Sequence, residues 1–265
     1  MSEFKIGGLA GEEAGEGVPV ALLHGLTATR RYVVMGSKNL ERNGHRVVMY
    51  DARGHGRSDP GDGYGYEALA EDLLAVLDAR GIDRAVLAGA SMGAHTIVRF
   101  ALEHPARAAA LVLITPAFDP AVAERGLDRW DALSDGLRSD GVEGFLRAYG
   151  EPRVPESFRD TVRTVLRQRL SAHEHPGAVA DALREVPRSR AYGSWEELGA
   201  LDLPVTVVAS RDEADPEHPY ATGKRYAEAI PGARLESEEP GKSPLAWQGG
   251  QLSRVIAETA ARVAS

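Results

Sequence analysis

Five short apolar runs, separated by helical patterns, limit what this 265-residue chain can fold into more than any other feature. They lie at 18–23, 46–50, 85–88, 109–114 and 204–209, and valine, leucine, isoleucine and alanine dominate them. Nearly continuous apolar runs of this length suit strands covered by helices on both faces. Between them, residues 67–80 place Leu69, Leu73, Leu74 and Leu77 on one stripe, and Gly81 follows as a C-terminal cap. Residues 29–43 read as a second helix ending at Gly44, and a last strand is expected at 234–238. Strand and helix in alternation predict an α/β fold, with a mostly parallel central sheet flanked by helices and joined by right-handed crossovers.

The rhythm breaks between 115 and 199. Helical stretches at 127–137 and 158–170 are punctuated by Pro116, Pro120, Pro152, Pro155, Pro176 and Pro187, and no strand pattern returns until Pro204. The expected organisation is a core of residues 1–115 and 201–265, with a helical cap insertion at 116–200 lying over one end of the sheet. Repeats and low-complexity linkers are lacking.

Composition narrows the function classes. A net charge of -8 argues against a nucleic-acid or anionic-membrane surface. The chain has no cysteine, so disulfides and thiolate metal sites are excluded. No apolar run approaches the roughly 20 residues of a membrane span, and the first residues lack a signal-peptide pattern. The expectation is a cytoplasmic protein, monomer or homodimer, that handles a small molecule without cofactor or metal. Only four of the 31 basic residues are lysines: Lys5, Lys38, Lys224 and Lys242.

Chemistry concentrates at strand ends. Gly89-Ala90-Ser91-Met92-Gly93 follows the strand at 85–88 and opens a helix running to about Glu103. A strand turning sharply into a helix leaves no room for side chains beside the serine, which explains the glycines. The turn lifts the hydroxyl above the sheet, at the positive end of the helix. Two further segments share that end: His24-Gly25-Leu26-Thr27, and Asp51-Ala52-Arg53-Gly54-His55-Gly56-Arg57-Ser58-Asp59.

Taken in this order, the three motifs resemble the α/β-hydrolase fold family, in its cap-bearing branch of esterases and lactonases, over essentially the whole chain. The resemblance implies Ser91 as nucleophile and the backbone N–H groups of Leu26 and Met92 as an oxyanion hole, with His24 and His55 bracing their loops. It also implies an acid in the loop Ser210–Pro219, where Asp215 in Asp-Pro-x-x-Pro is preferred and Asp212 is the rival.

The expected histidine is missing from its usual place. After the last strand stands Pro240-Gly241-Lys242-Ser243-Pro244, with Lys242 at the histidine position and 27 residues beyond Asp215. Three readings stand side by side. Lys242 is the base, although a carboxylate beside it favours the charged ammonium. Another histidine substitutes, His218 or His95. Or the serine is inactive and the pocket only binds. Lyase or cofactor-free oxygenase chemistry on this fold is a further class.

Tyr32, Trp130 and Trp247 are expected to line the pocket, with Phe145, Tyr149, Phe158 and Tyr192 as further candidates in the insertion. The arginines at 159, 163, 167 and 169 read as a solvated helix face. The overall expectation is a serine hydrolase acting on a small ester, lactone or thioester, with a hydrolase-fold binding protein as the alternative.

Overall fold

The computed structural model describes residues 1–122, 126–212, 215, 217–242 and 247–263. Eight strands form one sheet: β1 (Ser2–Ile6), β2 (Leu9–Ala14), β3 (Val18–Leu23), β4 (His45–Tyr50), β5 (Ala85–Ala90), β6 (Ala108–Ile114), β7 (Val205–Val208) and β8 (Arg234–Glu236). Their order is β1-β2-β4-β3-β5-β6-β7-β8. The β1–β2 and β2–β4 pairs are antiparallel and the rest parallel, as the apolar runs require.

Two strands stand outside the expected set, and one local expectation is corrected. The first two strands carry too many acidic and small residues to stand out as apolar runs; they form because β2 docks along β4, with Gly7 and Gly8 turning the hairpin at φ 55° and 91°. Residues 29–43 are not one helix. They hold a 3-10 turn at Arg30–Tyr32 and a single α-turn, α1 (Asn39–Arg42), separated where Met35 and Gly36 take positive φ.

Helices α2 (Tyr66–Ala79), α3 (Met92–Glu103) and α7 (Tyr220–Ala229) cover one face of the sheet, and α1 and α8 (Gly249–Ala261) the other. The alternating pleat divides β5 between them: Leu87 packs with Leu73, Ile97 and Phe100, whereas Val86 and Ala88 pack with Val112 and Ile256. Each such buried Val, Leu, Ile or Phe side chain contributes about 1.5–3 kcal/mol.

Between β6 and β7 run α4 (Leu127–Tyr149), α5 (Glu156–Leu170) and α6 (Pro176–Glu185). The first of these is broken at Asp140–Gly141, where the backbone leaves helical geometry. The three helices have their own apolar cluster, including Leu133, Phe145, Leu170 and Leu183. Leu26 packs against both this cluster and the sheet core, so the segment after β3 lies between the two.

Candidate active site

Ser91 sits at the junction of β5 and α3 with φ 51° and ψ -113°, a conformation rarely open to a residue with a side chain. The glycines make it possible. A Cβ on Gly89 would stand 2.3 Å from the Gly93 carbonyl, and one on Gly93 would stand 2.2 Å from the Leu23 oxygen. The Ser91 N–H donates to Ile114 O at 3.0 Å, which anchors the turn to β6.

The segment after β3 passes beside the serine. A Cβ on Gly25 would lie 3.3 Å from Ser91 Cβ. Leu26 follows Gly25 and Met92 follows Ser91 in the chain, and among the described residues neither N–H has an acceptor. His24 fixes the segment: Nδ1–H donates to Gly25 O at 2.8 Å, and Nε2 accepts the Ala52 N–H at 2.9 Å. Burial holds this ring neutral, with its pKa lowered to about 3.

The Gly-rich loop after β4 braces the same segment from below. Asp51, fully buried, accepts the Arg30 N–H at 2.8 Å and the Arg57 N–H at 3.0 Å, and pairs with the Arg30 guanidinium. Arg30 also pairs with buried Glu12 at 2.7 Å. His173, beyond α5, joins the two loops: its Nδ1 accepts the Gly56 N–H at 2.8 Å and its Nε2–H donates to Thr27 O at 3.0 Å.

Opposite Ser91 stands the loop after β7. His218 Nε2 lies 2.8 Å from Ser91 Oγ, and its Nδ1 lies 2.9 and 2.8 Å from the two oxygens of Asp215. The i,i+3 spacing in a turn folds the ring over the carboxylate; the His218 N–H also reaches Asp215 O at 3.3 Å. Burial raises the Asp215 carboxyl, but the hydrogen bond and charge of His218, the Glu217 N–H and the charge of Arg169 outweigh it and set the carboxyl below its usual range. The neighbouring Asp212 donates its N–H to Ser210 Oγ at 3.1 Å.

Beneath this loop, buried Glu238 accepts the Ser210 hydroxyl, the Arg211 N–H and the Trp247 indole N–H. It ties the 210–218 loop to the segment after β8. Sequence reasoning did not single out Glu238, since an isolated acid near a strand end has no pattern.

The remaining candidates fall as follows. Lys242 is exposed and donates its backbone N–H to Glu239 O at 3.1 Å. Its neighbours Ser243 and Pro244, like Pro216 of the acid loop, lie outside the described residues. His95 is fully engaged: Nε2 accepts the N–H groups of Ala117 and Phe118, and Nδ1–H donates to Tyr66 Oη. Burial, with a contribution from the charge of His218, lowers its pKa to about 3. Tyr32 is exposed beside Arg169; Trp130 packs on the helical cluster, and Trp247 is held by Glu238. Thus Ser91, Asp215 and His218 are brought together, and Lys242 is exposed. The signal for His218 was the Asp-Pro-x-His spacing itself, which puts an imidazole one turn from the carboxylate.

A hydroxyl, an imidazole and a carboxylate in this line can move a proton off the hydroxyl while the carboxylate holds the ring. Among the described residues, no group of three His, Asp or Glu side chains is arranged to hold a metal ion, and no helix is long and apolar enough to cross a membrane.

Comparison with known proteins places this geometry in context. The AB hydrolase superfamily protein YisY of Bacillus subtilis (strain 168) is 24% identical over 258 residues, covering 89% of this chain and 92% of that one. A 2-hydroxy-6-oxononadienedioate/2-hydroxy-6-oxononatrienedioate hydrolase of Pseudomonas putida is 30% identical over 236 residues, covering 84% and 80%. The solved structure of a thermophilic esterase from Thermogutta terrifontis superimposes with a TM-score of 0.77 at 25% identity over the full length of both chains. A family profile described as alpha/beta hydrolase fold matches residues 18–242. With that profile spanning most of its length and the sheet order above, the chain belongs to the alpha/beta hydrolase fold family.

Proposed function

We infer that this protein is a serine hydrolase acting on a small ester, lactone or thioester, with Ser91 as nucleophile and His218, in place of Lys242, as its base. The observation that carries the reading is the 2.8 Å contact of His218 Nε2 with Ser91 Oγ while Nδ1 faces Asp215. The related hydrolases and the esterase-like fold support it.

In the acylation step, His218 Nε2 takes the Ser91 proton as Oγ bonds to the substrate carbonyl carbon. The carbonyl π pair moves onto oxygen, where the Leu26 and Met92 N–H groups receive it; each such donor is worth about 3–4 kcal/mol in the transition state. Collapse expels the alcohol, which takes the proton from His218. Water then repeats the sequence on the acyl-serine and releases the acid. Asp215 keeps the proton on Nδ1 and stabilises the transient imidazolium. Residues 116–200 act as the cap in this reading, supported by the bonds that Arg169 and His173 make to the Leu26–Thr27 segment.

The test is a panel of p-nitrophenyl esters together with fluorophosphonate labelling. Turnover and a Ser91 adduct, both lost in Ser91→Ala, are expected. Neither in the native protein would leave a binding protein on a hydrolase fold.

A further inference from the structure

Of the four arginines on α5, three behave as solvated helix residues do. Arg159 pairs with Glu151, Arg167 makes bonds of 2.9 and 3.1 Å to Glu143, and Arg163 reaches only the Gly150 carbonyl, at 3.5 Å. Arg169, in the last turn, points the other way. Its Nη2 donates two long bonds of 3.3 Å, to Leu26 O and Thr27 Oγ1. Its guanidinium carbon lies 5.5 Å from the Tyr32 ring centroid. Its Nε is shut off from solvent and has no acceptor among the described residues.

A guanidinium half-withdrawn from water normally faces a carboxylate with its planar fork. Among the described residues, no carboxylate forms an ion pair with Arg169. Asp215 is an anionic influence on it, but its carboxylate is engaged by His218 and not by Arg169. Burial weakens the hold of Arg169 on its proton; Tyr32, Asp215 and Tyr149 face it and restore part of that hold. A buried donor with no acceptor is costly, and an arriving carboxylate would remove that cost. The site for it is one residue from the reacting centre, because Arg169 bonds the carbonyl of the residue whose N–H is assigned to the oxyanion.

We propose that Arg169 is the binding residue for a substrate carboxylate, and that the protein hydrolyses esters or lactones bearing a free carboxylate a few carbons from the reacting carbonyl. This rests on the reading of Ser91 as nucleophile. One interaction fits the open donor: Nε takes a carboxylate oxygen, while Nη2 stays on the Leu26–Thr27 segment. Tyr32 packs on the face of the same group.

The experiment compares 4-nitrophenyl hydrogen adipate with its neutral methyl ester, 4-nitrophenyl methyl adipate. The native protein is expected to favour the anionic ester, and Arg169→Gln to lose about 10- to 100-fold in kcat/KM on it, the range of a charged hydrogen-bonded contact. Activity on the neutral ester should fall much less, by what the lost bonds to Leu26 O and Thr27 Oγ1 cost. Arg169→Lys should keep part of the preference, and Arg159→Gln on the same helix all of it. An equal loss on both esters would make Arg169 a structural residue and overturn the proposal. Free adipate, followed by calorimetry on the native protein, Ser91→Ala and Arg169→Gln, separates the two readings. Binding that Arg169→Gln alone weakens supports the carboxylate site even without turnover. No binding to the native protein, or equal binding to all three, overturns it.

Discussion

His218 Nε2 stands 2.8 Å from Ser91 Oγ, although 127 residues separate the two along the chain. The contact follows from strand order. Ser91 leaves the end of β5 and His218 the loop after β7, and β5, β6 and β7 are neighbours. Two strand spacings are about 10 Å, a gap that a loop and an imidazole can close. His218→Ala should therefore lower kcat/KM by about 10²–10⁴-fold, the usual worth of a positioned base. Lys242→Ala should leave it unchanged. The reverse pattern in steady-state ester hydrolysis would return the role to Lys242.

Glu238 determines how firmly that loop is held. It is 8% exposed and accepts from Ser210, Arg211 and Trp247, so Glu238→Ala strands three donors at once. A loss of about 2–4 kcal/mol of unfolding free energy is expected, from the cost of unpaired buried groups. Because the same loop carries Asp215 and His218, kcat should fall too. Urea unfolding and initial rates measure both, and an unchanged midpoint would show that the loop does not depend on Glu238.

Acid should unfold this protein by way of its buried histidines. His24 and His95 are held neutral, with pKa lowered from 6.5 to about 3. Above pH 6.5 neither the folded nor the unfolded state binds these protons, so the two rings contribute nothing to the pH dependence. Between pH 6.5 and 3 the unfolded chain takes them up and the native state does not. Stability therefore falls as pH falls, by roughly 3 kcal/mol per pH unit for the two together well inside that window. The lowered Asp215 acts in the same direction but only below pH 4, where its carboxylate protonates. Urea midpoints at pH 7.5, 5.5 and 4.5 test this; equal stability at all three would refute it.

The serine turn should accept no side chain at Gly93. A Cβ there meets the Leu23 oxygen at 2.2 Å and the His24 oxygen at 2.9 Å, both backbone atoms that cannot swing away. Gly93→Ala is expected to cost about 3 kcal/mol or more, at the upper end of overpacking. Gly250→Ala in α8 is the contrast: its nearest atom is Asn39 Nδ2 at 3.7 Å, and a helix prefers alanine by about 0.5–1 kcal/mol. Thermal melts of the two variants should move in opposite directions.

Local physics accounts for what could be read from the residues in order. Apolar runs without a solvent face marked five of the eight strands and the parallel character of the sheet. Gly89 marked the turn through atoms a few residues away, Gly93 and Ala94, whereas the exclusion at Gly93 comes from Leu23 and His24 in the neighbouring strand end. The β1–β2 hairpin was not legible, since its mixed residues form strands only by pairing with β4. The 29–43 segment carried a helical pattern that the positive φ of Met35 and Gly36 interrupts.

The meeting of side chains was decided by tertiary structure alone. Position along the last loop suggested Lys242 beside Ser91, yet a position in sequence carries no distance. The folded sheet brings Asp215 and His218 to the serine, and Lys242 is exposed. Arg169 makes the same point within one helix: its i,i+2 spacing from Arg167 puts it on another face, but only the fold shows that this face meets Leu26 and Thr27. Periodicity acts over a few residues, whereas hydrogen bonds across more than a hundred exist only once the strands have stacked in order.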